Sequence, residues 1–184
     1  MWEEMATLEA WVDSAAGMMH FFCALYALVS GPFLFVWRKR GALHRFVGFT
    51  FILAMLALNV SALTIFDLGR FNLFHLFAII SLVTLIPGMI AISQAIRRRS
   101  RLWFTIHAHC MAWTYYGLAM AGFAQIAYRT IPQFTGSFES VAAFWDIVMP
   151  VASLSTIVLT WWLIPGVVDR YAPGVRRQQK VAHA

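Results

Sequence analysis

The sequence predicts an all-α integral membrane protein, a bundle of five transmembrane helices. Of its 184 residues, 61% are hydrophobic and only 12% are charged, whereas a soluble domain has about 25% charged residues. The apolar residues suffice for five spans of about 22 residues each. This composition excludes a water-soluble fold, a disordered chain and a small secreted domain held by disulfides.

Polar and charged breaks divide the chain into five apolar runs. The breaks fall at residues 38–41, 67–70, 97–101 and 129–139, the last with Pro132 and Gly136 inside it. We expect one membrane domain over residues 1–170 and a basic cytoplasmic tail over 171–184. Residues 1–12 are amphipathic, and we expect them to lie on the outer surface. The predicted spans are 14–37, 43–66, 73–95, 102–127 and 141–165.

The distribution of charge predicts the orientation of the bundle. Twelve of the 14 basic residues fall on one side of the predicted membrane, and seven of the eight acidic residues fall on the other. The positive-inside rule then places the N-terminus outside and the C-terminus in the cytoplasm. The net charge of +6 therefore indicates basic cytoplasmic loops, and we expect no nucleic-acid partner.

Five of the six histidines lie inside predicted spans, where an ionisable residue is costly and is a functional candidate by default. At a rise of 1.5 Å per residue, His20 and His75 lie about 27 and 33 Å from the cytoplasmic charges. His44 and His107 lie only about 6 and 9 Å from them. The histidines therefore form an outer layer, His20 with His75, and an inner layer, His44 with His107.

Two layers of paired imidazoles are the arrangement that a transmembrane di-haem bundle needs, because each b-type haem takes two axial histidines. We therefore predict two haem b groups, one between His20 and His75 and one between His44 and His107. His109 is the alternative to His107. The two are about 200° apart around a helix, so they cannot both face one site, and His107 fits the depth of His44 better.

The leading functional prediction is a membrane b-type cytochrome, an electron carrier or oxidoreductase of the bacterial inner membrane. It would pass electrons across the membrane between a quinol or another donor and an acceptor. The expected partners are the lipid bilayer, a quinone and other membrane subunits. The paired layout also resembles that of cytochrome b561-type di-haem bundles, by architecture and not by motif.

Two alternatives stay open. His20 with Cys23 and His107 with Cys110 form two H-x-x-C patterns, each on one helical face and with methionines nearby. Imidazole, thiolate and thioether are ligands that suit copper(I), so the chain could be a copper or haem-copper-oxidase maturation factor. The other alternative is a non-catalytic subunit of a larger membrane complex, whose histidines bind no metal.

Three short motifs resemble a family of predicted bacterial multipass membrane proteins, domain of unknown function 2306. The resemblance covers roughly residues 43–130 and leaves the activity open, because the family name implies none. It favours His107 as the family histidine, with Cys110 and Thr114 replacing the family's usual Trp and Ser. The motifs are Leu43-His44-Arg45-Phe46-Val47-Gly48, Phe74-His75-Leu76-Phe77 continuing to Gly88, and His107-Ala108-His109-Cys110-Met111 followed by Thr114-Tyr115.

Overall fold

The computed structural model describes residues 14–36, 39, 41–65, 71, 73–135 and 139–171, and all its regular structure in these ranges is helical. The predicted surface segment 1–12 lies outside the described residues, as does the basic tail after Tyr171. The helices are α1 (Ala15–Val36), α2 (Ala42–Thr64), α3 (Leu73–Arg98), α4 (Arg101–Thr135) and α5 (Glu139–Tyr171).

Local sequence explains where three of these helices begin. Ser14 caps α1, because its Oγ accepts a hydrogen bond from the backbone N–H of Gly17 at 3.1 Å. Gly41 precedes α2 with φ +122°, a backbone conformation that a residue with a Cβ rarely adopts. α3 and α4 are joined by Arg99 and Ser100 alone, and the Ser100 carbonyl accepts a hydrogen bond from Phe104 N–H at 3.3 Å.

Four helical segments are long and apolar enough to cross a membrane: Ala15–Val36, Ala42–Thr64, Phe74–Arg98 and Asp146–Arg170. Many large apolar side chains point outward, among them Val36 at 88% exposure and Trp162 at 77%. Such a surface would be unfavourable in water and is the one that lipid requires. The chain is therefore a membrane protein with several apolar helices.

The last two helices are longer than the predicted spans. α4 runs eight residues beyond the predicted end at 127, and α5 continues to Tyr171 with Pro150 and Pro165 inside it. The prediction placed helix ends where polar residues and Pro132 appear. A polar residue ends an apolar run without ending the hydrogen-bond ladder of the helix, so these helices continue past the apolar segment.

The chain divides into two compact units, Met1–Val83 and Thr84–Ala184, and α3 contributes its first half to one and its second half to the other. In the first unit, α1 and α2 pack as an antiparallel pair. The start of α1 meets the end of α2 at His20 and Leu58, and Tyr26 contacts Thr50 midway. Asn59 of α2 donates a hydrogen bond to Ser81 Oγ of α3 at 3.0 Å.

In the second unit, α4 runs antiparallel to α5. Arg101 at the start of α4 pairs with Asp169 near the end of α5 at 2.8 Å, and Tyr116 OH hydrogen-bonds Ser153 Oγ at 2.6 Å. Between these contacts, Phe104 and Ala108 pack on Ile164 and Val168. The second half of α3 also lies against α4, since Thr84 and Thr114 share a hydrogen bond of 2.9 Å.

Lys39 closes the end of α1. Its Nζ donates hydrogen bonds to the carbonyl oxygens of Leu34 and Phe35, and it lies 5.9 Å from the centre of the Phe35 ring. These carbonyls belong to the last helical turn, whose dipole attracts a cation. We expect Lys39→Met to lower the free energy of unfolding by about 1 kcal/mol.

The measurement for Lys39→Met is thermal unfolding in detergent, with Arg45→Met as the matched control. Arg45 is an exposed cation in the first turn of α2, where the helix dipole does not favour it. Its loss should leave stability unchanged or slightly raised. Equal destabilisation by both variants would contradict the capping role of Lys39.

Candidate functional site

His20 lies on the second turn of α1 and its ring is held by α2. Nδ1 is 3.1 Å from the carbonyl oxygen of Leu58 and 3.3 Å from Ser61 Oγ. The Ser61 hydroxyl donates to the same Leu58 carbonyl at 2.9 Å. A carbonyl oxygen can only accept, so Nδ1 carries the ring proton and the lone pair of the neutral ring lies on Nε2.

His107 lies on the second turn of α4 and is held in the same way by α3. Its Nδ1–H donates to the carbonyl oxygen of Gly88 at 2.8 Å. The proton on Nδ1 again leaves Nε2 as the atom with a lone pair. An imidazole whose Nδ1–H is fixed by a backbone carbonyl has the tautomer and the ring orientation typical of a metal ligand.

His75 is the most deeply buried histidine of the described residues, at 2% exposure. It lies at the third residue of α3, in the first unit with His20, and its ring stacks on Phe71 with 5.2 Å between centroids. His44 is half-buried at the third residue of α2. It belongs to the first unit and His107 to the second.

His109 differs from His107. It is half-buried, and its ring makes no hydrogen bond to any residue that the structure describes. Two residues along α4 from His107, it points away from the Gly88 carbonyl because successive residues turn by about 100°. The His107 ring is therefore held by a hydrogen bond to Gly88, whereas the His109 ring is held by no described residue.

Gly88 permits a close approach between α3 and α4. A Cβ at this position would lie 2.9 Å from the Cβ of Cys110 and would also overlap the terminal methyl of Met111. His107, Cys110 and Met111 thus meet α3 at one glycine. Cys23 lies half-buried on α1, and both cysteines are free thiols.

No group of three or more His, Cys, Asp or Glu side chains in the described ranges could hold a bare metal ion. A copper site here would therefore need methionine sulfur as well. A b-type haem needs less from the protein, because its porphyrin supplies four iron ligands and the chain only two axial nitrogens.

The residues that hold the histidine rings were not predicted from the sequence. Two of the acceptors are the main-chain oxygens of Leu58 and Gly88. Every residue has such an oxygen, so the sequence does not show which one accepts a hydrogen bond. Ser61 is one of several small polar residues in its helix, and nothing in its neighbours distinguishes it. The Pro87-Gly88 pair is the one available signal, since a glycine inside an apolar helix often marks close packing.

Comparison with known proteins gives one finding. The family model described as "Predicted membrane protein (DUF2306)" matches residues 17–164. No curated protein and no solved structure matches the chain. The match extends the resemblance seen in residues 43–130 to all but the ends of the sequence. The likeness to cytochrome b561-type bundles is not part of this match and stays an interpretation of the histidine spacing. The chain belongs to the family of predicted membrane proteins called domain of unknown function 2306.

Proposed function

We propose that this protein is a b-type cytochrome of the bacterial inner membrane, with five spans and two haem b groups. It moves electrons between a quinol or another donor on one side and an acceptor on the other. His20 with His75 and His44 with His107 hold the haems. Its partners are the bilayer, a quinone and other membrane subunits.

The observation that carries the proposal is the shared geometry of His20 and His107. Each ring donates Nδ1–H to a helix carbonyl, at 3.1 Å to Leu58 and 2.8 Å to Gly88. Both rings therefore have the Nε2 lone pair that an axial ligand uses. The same hydrogen bond satisfies the ring N–H inside an apolar bundle, and it leaves each Nε2 unprotonated, as an axial ligand requires.

The outer pair is supported by position within one unit. His20 lies on the second turn of α1 and His75 on the first turn of α3, so both stand near the beginning of a membrane-crossing helix. At 2% exposure, His75 is sheltered from water. An axial ligand benefits from this shelter, because a low dielectric helps to set the redox potential.

The inner pair rests on the sequence. His44 and His107 have similar depths when measured from the basic breaks, about 6 and 9 Å. His44 also stands in the His-Arg-x-x-Gly motif that the family shares. The ring of His107 is fixed as described above, and that of His44 is the partner we assign to it.

A fifth span and the orientation are part of the proposal. α4 falls outside the four apolar spans because histidines and hydroxyl residues interrupt its apolar run. It nevertheless packs antiparallel along α5 and follows α3 after a two-residue turn. A helix that packs along one membrane-crossing helix and touches another at Thr84 and Gly88 is expected to cross with them. Basic residues at the turns then put the C-terminus in the cytoplasm.

Bound haem b supplies reversible one-electron chemistry. The chain contributes four imidazoles that hold the haems, apolar helices that exclude water, and hydrogen bonds that set the basicity of the ligands. The bond from His20 to Leu58 and its weaker branch to Ser61 orient one ring, and the Gly88 carbonyl orients another. Such bonds to the second ring nitrogen tune both affinity and potential.

The test is a reduced-minus-oxidised absorption spectrum and a metal count on the full chain, purified in detergent from haem-replete cells. We expect two haems per chain in the wild-type protein. Each of the single variants His20→Ala and His44→Ala should retain about one. His183→Ala is the matched control, since His183 lies outside the predicted spans and should keep both haems. A colourless, metal-free protein would overturn the proposal and leave a non-catalytic subunit of a larger complex.

Copper handling is the second candidate, and the packing around Gly88 is the observation that favours it. His107, Cys110 and Met111 approach α3 at this one residue. Imidazole, thiol and thioether together suit copper(I). Under this hypothesis, the same metal count gives copper without haem absorbance, and Cys110→Ser removes it.

A further inference from the structure

We propose that the turn between α3 and α4 binds the phosphate headgroup of an anionic membrane lipid. The turn consists of Arg97, Arg98, Arg99, Ser100 and Arg101, and we call it the arginine turn. This inference concerns the opposite end of α3 from His75. It holds whether or not the chain carries haem.

The arginine turn has more positive charge than the protein around it neutralises. Arg101 pairs with Asp169 at 2.8 Å, and the two side chains are 40% and 46% exposed. Arg97, Arg98 and Arg99 are exposed and make no ion pair with a described residue. Among the described residues, one of the four arginines is therefore paired with a carboxylate and three are not.

The backbone holds these cations close together. α3 ends at Arg98 and α4 begins at Arg101, so only two residues reverse the chain. Arg99 has φ +48°, a left-handed conformation that is unfavourable for a residue with a Cβ. A glycine would be the ordinary choice at such a position. The turn therefore places a cationic side chain at a position where the backbone favours glycine.

The surroundings of the turn suit a lipid better than a soluble anion. The guanidinium of Arg98 lies 5.9 Å from the centre of the Trp103 ring, and tryptophan prefers the headgroup level of a bilayer. Ile96 and Leu102 flank the arginines at 65% and 63% exposure. Exposed apolar side chains beside a cationic cluster complement a molecule with acyl chains and a phosphate.

The helix dipoles favour the same occupant. α4 begins at this turn with no acidic residue in its first turn, so the positive end of the helix and Arg101 lie together. Asp169 already offsets the charge of Arg101, and a further anion would interact favourably with the helix N-terminus and the other arginines. Arginine also binds phosphate through two parallel hydrogen bonds, which lysine cannot form.

The experiment measures lipid binding by the full chain in a neutral detergent. Phosphatidylglycerol, phosphatidylcholine and inorganic phosphate are titrated separately, and the unfolding temperature is followed with each. We expect a rise with phosphatidylglycerol alone. Arg98→Gln should weaken this lipid's apparent affinity about fivefold, since each basic residue near an anionic surface contributes about that factor. Arg97→Gln/Arg98→Gln should weaken it about 25-fold.

Arg45→Gln is the matched control, an exposed arginine of α2 in the first unit, and should change the affinity less than twofold. Arg98→Lys keeps the charge and loses the paired hydrogen bonds, so it should lie between wild type and Arg98→Gln. Equal losses from Arg45→Gln and Arg98→Gln would overturn the site in favour of diffuse charge. Equal stabilisation by inorganic phosphate, or by phosphatidylcholine, would also overturn the proposal.

Discussion

Gly88→Ala is expected to destabilise the protein relative to a glycine-to-alanine change elsewhere in the same unit. The new Cβ would lie 2.9 Å from the Cβ of Cys110, which is one bond from the α4 backbone and cannot rotate away. The methyl of Met111 is also overlapped, but its side chain can turn. Forcing an extra carbon into such a contact costs about 1–3 kcal/mol.

Gly117→Ala is the matched control for this prediction. Gly117 is also helical, on α4, and a Cβ there would meet nothing within 4 Å. Both variants gain the same helix propensity of alanine, so the difference between their free energies of unfolding isolates the clash with Cys110. Adding Cys110→Gly to Gly88→Ala removes the obstructing Cβ and should restore part of the loss. If Gly88→Ala is as stable as Gly117→Ala, the close approach of α3 and α4 is wrong.

The same change also reaches the candidate site. Gly88 provides both the space for Cys110 and the carbonyl that accepts from His107. Moving α3 away from α4 would lengthen that hydrogen bond, so packing and ring orientation depend on one residue. The close contact with Cys110 accounts for a residue without a Cβ at this position.

Much of the fold could be predicted from the sequence, because few backbone structures are stable inside a membrane. An apolar run of about 20 residues must satisfy its backbone internally, and a helix does so. The starts of α1 and α2 agree with the predicted spans within one residue. α4 and α5 extend past the predicted spans 102–127 and 141–165, because hydrophobicity marks the lipid boundary and not the helix boundary.

The histidines could be found from the sequence because ionisable residues are rare in apolar spans. Their hydrogen bonds could not be found, because the acceptors at Leu58 and Gly88 are main-chain atoms. Such bonds depend on how two helices face each other, and residue type alone does not specify that rotation. Depth and the family resemblance both favour His107 over His109, and the bond to Gly88 adds an independent reason.

The hydrogen bond from His107 to Gly88 predicts that two histidine variants differ strongly in haem content. We expect His107→Ala to lower the haem content from two to about one per chain, and His109→Ala to keep both. Of these two histidines, only His107 has its ring held by a carbonyl of a described residue, at 2.8 Å, with Nε2 left as a donor to iron. The measurement is the absorbance of the reduced haem against protein concentration, after gel filtration shows that each variant is monodisperse.

His107→Met separates a ligand from a packing residue. Methionine can coordinate haem iron and raises its reduction potential relative to histidine, whereas alanine leaves the axial position to the solvent or to nothing. A ligand at position 107 therefore predicts that His107→Met retains more haem than His107→Ala, with a higher potential for one of the two haems. A residue that only fills space predicts unchanged potentials in every variant. Loss of haem in His109→Ala with retention in His107→Ala would reverse the assignment and place the ligand on the other face of α4.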